Sequence, residues 1–285
     1  MTARDGVTSS TDVQVRPLSS ALGAEVIGID ANTASDAEVD RVRDIWHEYQ
    51  VVLLRNQQLG EDEQASFGRR FGRGSLSGGH NKVFEGDNEG VVYVTNVVDK
   101  SAPVGILPDG EMQFHSDQCH QEMPSKGTML YAIEVPTMGG DTRFANAYRA
   151  YETLSDEMKA RIADLKAVNI YDYAANPTQR GQPREGVPSH THPVVRTHPV
   201  TGRKALFVNR LMTARIEGMG PDESEALLTT LFDHQEQPQF IYDHKWQPGD
   251  MLIWDNRCVL HARTDFDPGQ RRRLRRVTLP GEAVI

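Results

Sequence analysis

Cysteine is scarce: Cys119 and Cys258 are the only two among 285 residues. Two cannot build a disulfide framework, and neither sits in the C-x-x-C pair of structural zinc or thioredoxin-like chemistry. A reducing, cytoplasmic setting is the expectation. Long apolar runs are missing as well. No stretch approaches the roughly 18 apolar residues that cross a bilayer, and Met1 to Gly6 has no apolar signal core, so no membrane association is expected. Positive charge is in deficit, with 31 Lys and Arg against 40 Asp and Glu and a formal net charge of −9. Such a surface repels a phosphate backbone, which argues against a nucleic-acid partner. Nor does an internal repeat, low-complexity tract or break in composition divide the chain.

What is present is ordinary for a globular protein, with 38% hydrophobic and 25% charged residues, enough to bury a core. Residues 1–12, rich in Ser, Thr, Asp and Gly, read as a loose tail, and 13–285 as one domain. Val13 to Pro17 and Ala24 to Ile29 alternate like short strands. Between Ser35 and Gln50 the apolar positions Val39, Val42, Ile45, Trp46 and Tyr49 follow a helical period, with Ser35 placed to cap. Val51 to Leu54 reads as a buried strand and Glu61 to Phe71 as a second helix ending at Gly72. Further strands are expected at 91–94, 128–135, 141–145, 166–171, 194–197, 205–208, 240–243, 251–255 and 275–279, and helices at 147–165 and 222–235. Helices inserted among short strands predict a mainly β protein with covering helices, a distorted double-stranded β-helix or jelly roll, rather than regular βαβ alternation. The polar, Gly- and Pro-rich stretches 72–90, 99–110 and 176–189 read as active-site loops.

Among the 10 histidines, His115 is the most informative. In Gln113-Phe114-His115-Ser116-Asp117 an H-x-D pair on extended backbone points both side chains to one face. A third ligand is available in His261, just past the apolar run Met251-Leu252-Ile253-Trp254. Two imidazoles and a carboxylate leave three adjacent positions open on an octahedral Fe(II), an arrangement suited to oxygen activation. Taken alone, H-x-D is more often a surface pair or a hydrogen-bonded core histidine. Downstream, a strand through Gln270 to Leu279 would direct Arg272 and Arg276 to one side with Leu274, forming an arginine fork for a carboxylate. The competing reading is a solvated charge run.

These ordered motifs resemble the TauD/TfdA family of Fe(II)- and 2-oxoglutarate-dependent dioxygenases, the taurine and chlorophenoxyacetate group. The resemblance runs through Leu22-Gly23-Ala24-Glu25-Val26, Val52-Leu53-Leu54-Arg55-Asn56-Gln57, Phe67 to Gly72, His115-Ser116-Asp117, Gly139-Gly140-Asp141-Thr142 and Trp254-Asp255-Asn256-Arg257 to His261. It implies that His115, Asp117 and His261 bind iron, and that Thr142 and Arg272 hold the distal carboxylate of the 2-oxoglutarate cosubstrate. It further implies that Arg276 faces an anionic substrate, with His80 and Asn96 as additional pocket candidates. O₂ is the second cosubstrate, and decarboxylation to succinate and CO₂ is coupled to C–H oxidation of a small to medium organic acid. Secondary metabolism and aryloxyalkanoate or sulfonate catabolism are the expected settings.

Two departures from the family pattern stand out. Phe114 occupies a position where many relatives carry Trp, and Glu111 stands where taurine-type enzymes carry a substrate-binding amide, which disfavours taurine itself. His190, His192 and His198 lack a neighbouring carboxylate of metal-site spacing and read as loop or pocket residues. His120, placed on a strand, would face away from His115, and Trp254 reads as core. A non-catalytic jelly roll that binds metal and 2-oxoglutarate is the alternative from a different class. The exposed helices leave room for a homo-oligomer.

Overall fold

The computed structural model describes residues 13–72, 90–99, 102–103, 105, 107, 110–171 and 186–285. The expected tail at 1–12, His80 and most of the three expected loops lie outside them. In chain order, β1 (Gln14–Pro17) and β2 (Ala24–Ile27) lead to α1 (Asp36–Tyr49), β3 (Val51–Leu54) and α2 (Glu61–Gly72). Then come β4 (Val91–Thr95), β5 (Val98–Asp99), β6 (Ala102–Pro103), β7 (Met112–His115), β8 (Gly127–Glu134) and β9 (Thr142–Asn146). After α3 (Ala147–Glu152) and α4 (Asp156–Ile162) follow β10 (Lys166–Ile170), β11 (Ser189–Pro193), β12 (Val195–Thr197), β13 (Lys204–Leu206) and β14 (Thr213–Ile216). The chain closes with α5 (Pro221–Gln235), β15 (Ile241–His244), β16 (Met251–Asp255), β17 (Val259–Arg263) and β18 (Arg273–Leu279).

Local chemistry explains the first helix. Ser35 accepts from the Glu38 amide while the Glu38 carboxylate accepts from the Ser35 amide at 2.7 Å, a reciprocal capping box. Asp36 and Glu38 suit the positive end of the dipole. At the other end Gln50 takes φ 64° and returns its N–H to Trp46. The helix buries Val39, Val42, Ile45 and Trp46.

A seven-stranded sheet in the order β1-β2-β3-β16-β8-β18-β4 faces a four-stranded sheet, β15-β9-β17-β7. All neighbours are antiparallel except β2 and β3. Strand alternation divides the larger sheet into two apolar faces. Val52, Leu54, Met129, Tyr131, Met251, Ile253, Val277 and Leu279 pack with α1 and α2 on the outside. Leu53, Leu130, Leu252, Trp254 and Leu274 meet Phe144 and Val259 of the smaller sheet on the inside. This is the expected jelly roll with helical cover. A third cluster seats Leu227, Leu228, Leu231 and Phe232 of α5 beside the small sheet β11-β10-β14.

The expected helix over 147–165 is in fact two. Asn146 caps α3 by accepting from the Arg149 amide, and the Thr153 hydroxyl bonds back to the Arg149 carbonyl at its end. Ser155 then accepts from Met158 and starts α4. Strands β7, β11, β14 and β17 were not marked as such by the sequence pattern. In β7 and β17 the inward positions carry His115, His261 and Arg263, so polar side chains occupy the places where apolar ones normally reveal a strand.

Trp46 ties these layers together. It is 1% exposed, stacks edge-on against Phe71 at 5.2 Å and lies under the Arg257 guanidinium. Trp46→Ala should cost about 3–5 kcal/mol, read as a lower denaturant midpoint with an unchanged slope.

Candidate active site

Three groups converge between the sheets. His115, the last residue of β7, pairs in register with His261 on β17, and their rings stand 4.1 Å apart. Asp117 completes the group: one ligand atom from each of His115, Asp117 and His261 falls within 4.8 Å of the others. The Asp117 Oδ1 atom lies 3.9 Å from His261 Nε2. The strand argument for H-x-D does not hold as expected, because β7 ends at His115 and Asp117 sits in the following turn, where Gln118 takes φ 58°. From that turn the Asp117 carboxylate reaches towards His261.

The protonation states suit metal binding. Burial above all, with the neighbouring His115, lowers His261 to about 3, and burial likewise lowers His115. Both rings are therefore neutral at neutral pH, with lone pairs to offer. Burial alone would raise the Asp117 carboxyl, but His261, Arg276, His115 and the Thr128 hydroxyl outweigh it and bring it to about 2. His115 Nδ1 bonds the Gln113 carbonyl at 2.9 Å, which makes Nδ1 the donor and Nε2 the nitrogen that carries the lone pair. His261 Nδ1 is buried with no hydrogen-bond partner among the described residues. Two imidazole nitrogens and one carboxylate oxygen fit Fe(II) with positions to spare.

A second constellation lies alongside. Arg272 is 2% exposed, its Nε donates to the Gly140 carbonyl at 3.2 Å, and its Nη1 has no hydrogen-bond partner among the described residues. Burial first, then the nearby Arg263 charge, lowers it to about 9 against the opposing pull of Asp141. A buried guanidinium beside a like charge and short of an acceptor is a site for an anion. Thr142 on β9 pairs with Arg263 on β17, and Trp246 Nε1 donates to its Oγ1 at 2.9 Å. The indole fills an acceptor position on that oxygen, so the Thr142 proton is left to donate to a carboxylate. Asn96 is already engaged: its amide group donates to the Gln270 and Pro268 carbonyls, and its Oδ1 accepts from the Arg272 amide. It braces the segment carrying Arg272 and is not a free pocket donor.

Arg276 shares the inner face of β18 with Leu274. Its Nη1 lies 3.9 Å from Asp117 Oδ1, and its buried Nε has no hydrogen-bond partner among the described residues. On the opposite face Arg275 is consumed by Gln64 and the carbonyls of Leu59 and Gly60. Glu111 is exposed just ahead of β7, where solvent screens its charge. Phe114 packs with Ala145, Leu260 and Ala262, so the departure from Trp there is a change of packing.

The other histidines divide differently from the sequence reading. His120 lies in the turn after Asp117, not on a strand, and packs on Tyr171 at 4.7 Å. His192 bonds the Gln121 carbonyl and packs beside His190. His198 joins Asp255 and Cys258 in a second compact group. There the Asp255 carboxylate is occupied by Arg257 and His198, and His198 Nδ1 accepts from the Val200 and Thr201 amides. That group is a closed hydrogen-bond network, not a vacant ligand set. Two residues that sequence reasoning missed stand behind the metal group: Thr128 donates to Asp117, and Asn256 donates to Thr128. Position was the available signal, since Asn256 lies two residues after Trp254 in the run leading to His261.

Residues 14–278 match the family model described as taurine catabolism dioxygenase TauD, TfdA family. The (S)-phenoxypropionate/alpha-ketoglutarate-dioxygenase of Sphingobium herbicidovorans is 35% identical over 268 residues, covering 90% of this chain and 91% of that protein. Pentalenolactone F synthase of Streptomyces arenae is 33% identical over 290 residues, 93% of this chain and 94% of its own length. Among solved structures, AAD-2 in complex with Mn(II) and N-oxalylglycine superposes with a TM-score of 0.80 at 29% identity, over 96% of this chain and 99% of that one.

Gly140 has φ +68°, and a Cβ there would fall 3.2 Å from both Cδ and Nε of Arg272. Gly140→Ala should therefore displace the guanidinium and weaken 2-oxoglutarate binding about tenfold, equivalent to roughly 1.4 kcal/mol. Calorimetric titration of the metal-loaded protein checks this.

Proposed function

The chain belongs to the TauD/TfdA family, an Fe(II)- and 2-oxoglutarate-dependent dioxygenase family, and on that premise we propose that it oxidises a C–H bond of a small to medium anionic organic acid. Bound iron, with 2-oxoglutarate and O₂, supplies the oxidising power, coupling cosubstrate decarboxylation to succinate and CO₂ with substrate oxidation. The chain's own residues hold and orient the reactants. His115, Asp117 and His261 provide the metal ligands in this reading. Arg272 and the Thr142 hydroxyl receive the distal carboxylate of 2-oxoglutarate, with Gly140 and Asn96 holding the arginine in place. The sheets on either side exclude water from the reacting atoms.

The observation that carries the substrate class is Arg276, a partly buried guanidinium that reaches the metal group, its Nε without a hydrogen-bond partner among the described residues. An anionic substrate gripped there would lie beside the metal. Relatives named for phenoxypropionate and for pentalenolactone F support aryloxyalkanoates and acidic secondary-metabolite intermediates as candidates. Strands from both ends of the described chain, β1 and β18, share the large sheet, which supports reading 13–285 as one domain. Two buried free cysteines suit a reducing cytoplasm, and among the described residues no helix is long and apolar enough to cross a membrane.

Aryloxyalkanoic acids should stimulate succinate release from the Fe(II)-loaded protein, with none from His115→Ala. Arg276→Gln should raise the substrate KM about 10- to 100-fold, as expected for losing a charge-assisted hydrogen bond of roughly 1.5–3 kcal/mol, with a smaller effect on the 2-oxoglutarate KM. An unchanged substrate KM rejects Arg276 as the anchor.

A further inference from the structure

We propose that Trp254, Asn256 and Thr128 form a hydrogen-bond relay of fixed direction that orients Asp117 and presents its Oδ1 to the metal. The proposal rests on Asp117 being a ligand. Trp254 Nε1 donates to Asn256 Oδ1 at 2.9 Å, Asn256 Nδ2 donates to Thr128 Oγ1 at 3.0 Å, and Thr128 Oγ1 donates to Asp117 Oδ2 at 2.5 Å. All three side chains are at most 2% exposed.

The direction of the relay follows from the chemistry of its first member. An indole N–H can only donate, so it must face the amide oxygen of Asn256. The amide nitrogen then faces Thr128 and can only donate to it. With that acceptor position filled, the Thr128 hydroxyl turns its proton to Asp117. Every step is determined by the one before, and the end result is a carboxylate with Oδ2 occupied and Oδ1 turned to His261 Nε2. Two side-chain torsions that would otherwise be free in Asp117 are fixed before any metal arrives.

Asn256 is itself held from several directions. Its carbonyl accepts from Ser116 Oγ at 2.9 Å and its amide donates to the Lys126 carbonyl, so the same residue grips both the relay and the neighbour of the ligand. On either side of it, Asp255 and Arg257 are locked in the buried group with His198, and Arg257 also reaches Glu282. Trp254 touches a second ligand too, its ring lying 4.7 Å from that of His261. The segment thus sends Trp254 and Asn256 towards the metal group and Asp255 and Arg257 into a rigid ionic anchor. Thr128, Asn256 and Trp254 are positioning residues, acting through Asp117 and His261.

The test is Co(II) binding to the full chain, followed by competition titration and by the visible ligand-field spectrum, with circular dichroism to verify the fold. Thr128→Val keeps the shape of the side chain and removes the donor; it should lower Co(II) affinity about 10- to 100-fold and alter the spectrum. Thr128→Ser should restore both. Because the members act in series, the Thr128→Val, Asn256→Ala double variant should be no worse than the weaker single one. Asp117→Ala separates the two ideas. If it binds Co(II) as the unaltered protein does, the ligand reading fails; if it loses Co(II) while folded Thr128→Val retains affinity and spectrum, the relay fails. A folded Thr128→Ser as impaired as Thr128→Val also overturns the proposal.

Discussion

The pairing of His115 with His261 across β7 and β17 is the contact on which the rest depends. It sets two imidazoles side by side in an interior where neither can carry charge. Desolvation lowers both, and each then offers a neutral nitrogen. A carboxylate placed there would normally be driven to protonate, but the Arg276 guanidinium and the Thr128 hydroxyl beside Asp117 keep it ionised. The fold thus sustains a buried anion between neutral bases, the electrostatic condition for a divalent cation.

The two sheets contribute differently to that condition. On the larger sheet, the outward residues of β3, β8, β16 and β18 belong to the helix-covered core, while the inward ones include Thr128, Trp254, Leu274 and Arg276. The smaller sheet provides His115, His261, Thr142 and Arg263 from adjacent strands. Apolar contacts between Phe144, Val259, Leu252 and Trp254 lock the sheets in register, so the metal group is positioned by close packing. The anion-binding side is built on the close approach of backbone at Gly140, which lets a bulky guanidinium sit against a turn.

Much of this was legible in the sequence, for identifiable reasons. Helix α1 announced itself through a capping serine and a clean apolar stripe, and β3 and β16 through continuous aliphatic runs. The H-x-D pair and the later histidine were readable because His and Asp, the side chains a metal site requires, are chemically distinctive. Their supports were not. Thr128 lies in a strand of mostly apolar residues and reads as ordinary β-branched filler, and Asn256 resembles a turn residue. Only the three-dimensional register puts their polar atoms in a line behind Asp117. Asn96 was singled out as a pocket candidate, and its amide serves the backbone of 268–272. The break between α3 and α4 escaped notice because the apolar period continues across it, while Thr153 and Ser155 redirect the backbone through local hydrogen bonds.

The central claim is that His115, Asp117 and His261 hold iron with room for 2-oxoglutarate beside it. Anaerobic titration of the metal-free protein with Fe(II) and then 2-oxoglutarate tests it most directly, followed by the weak visible charge-transfer absorption that arises when a keto acid chelates ferrous iron. The account predicts that the band grows to saturation with 2-oxoglutarate and is absent from folded His261→Ala. Bound iron that develops no band at saturating 2-oxoglutarate, or a band undiminished in His261→Ala, would contradict it.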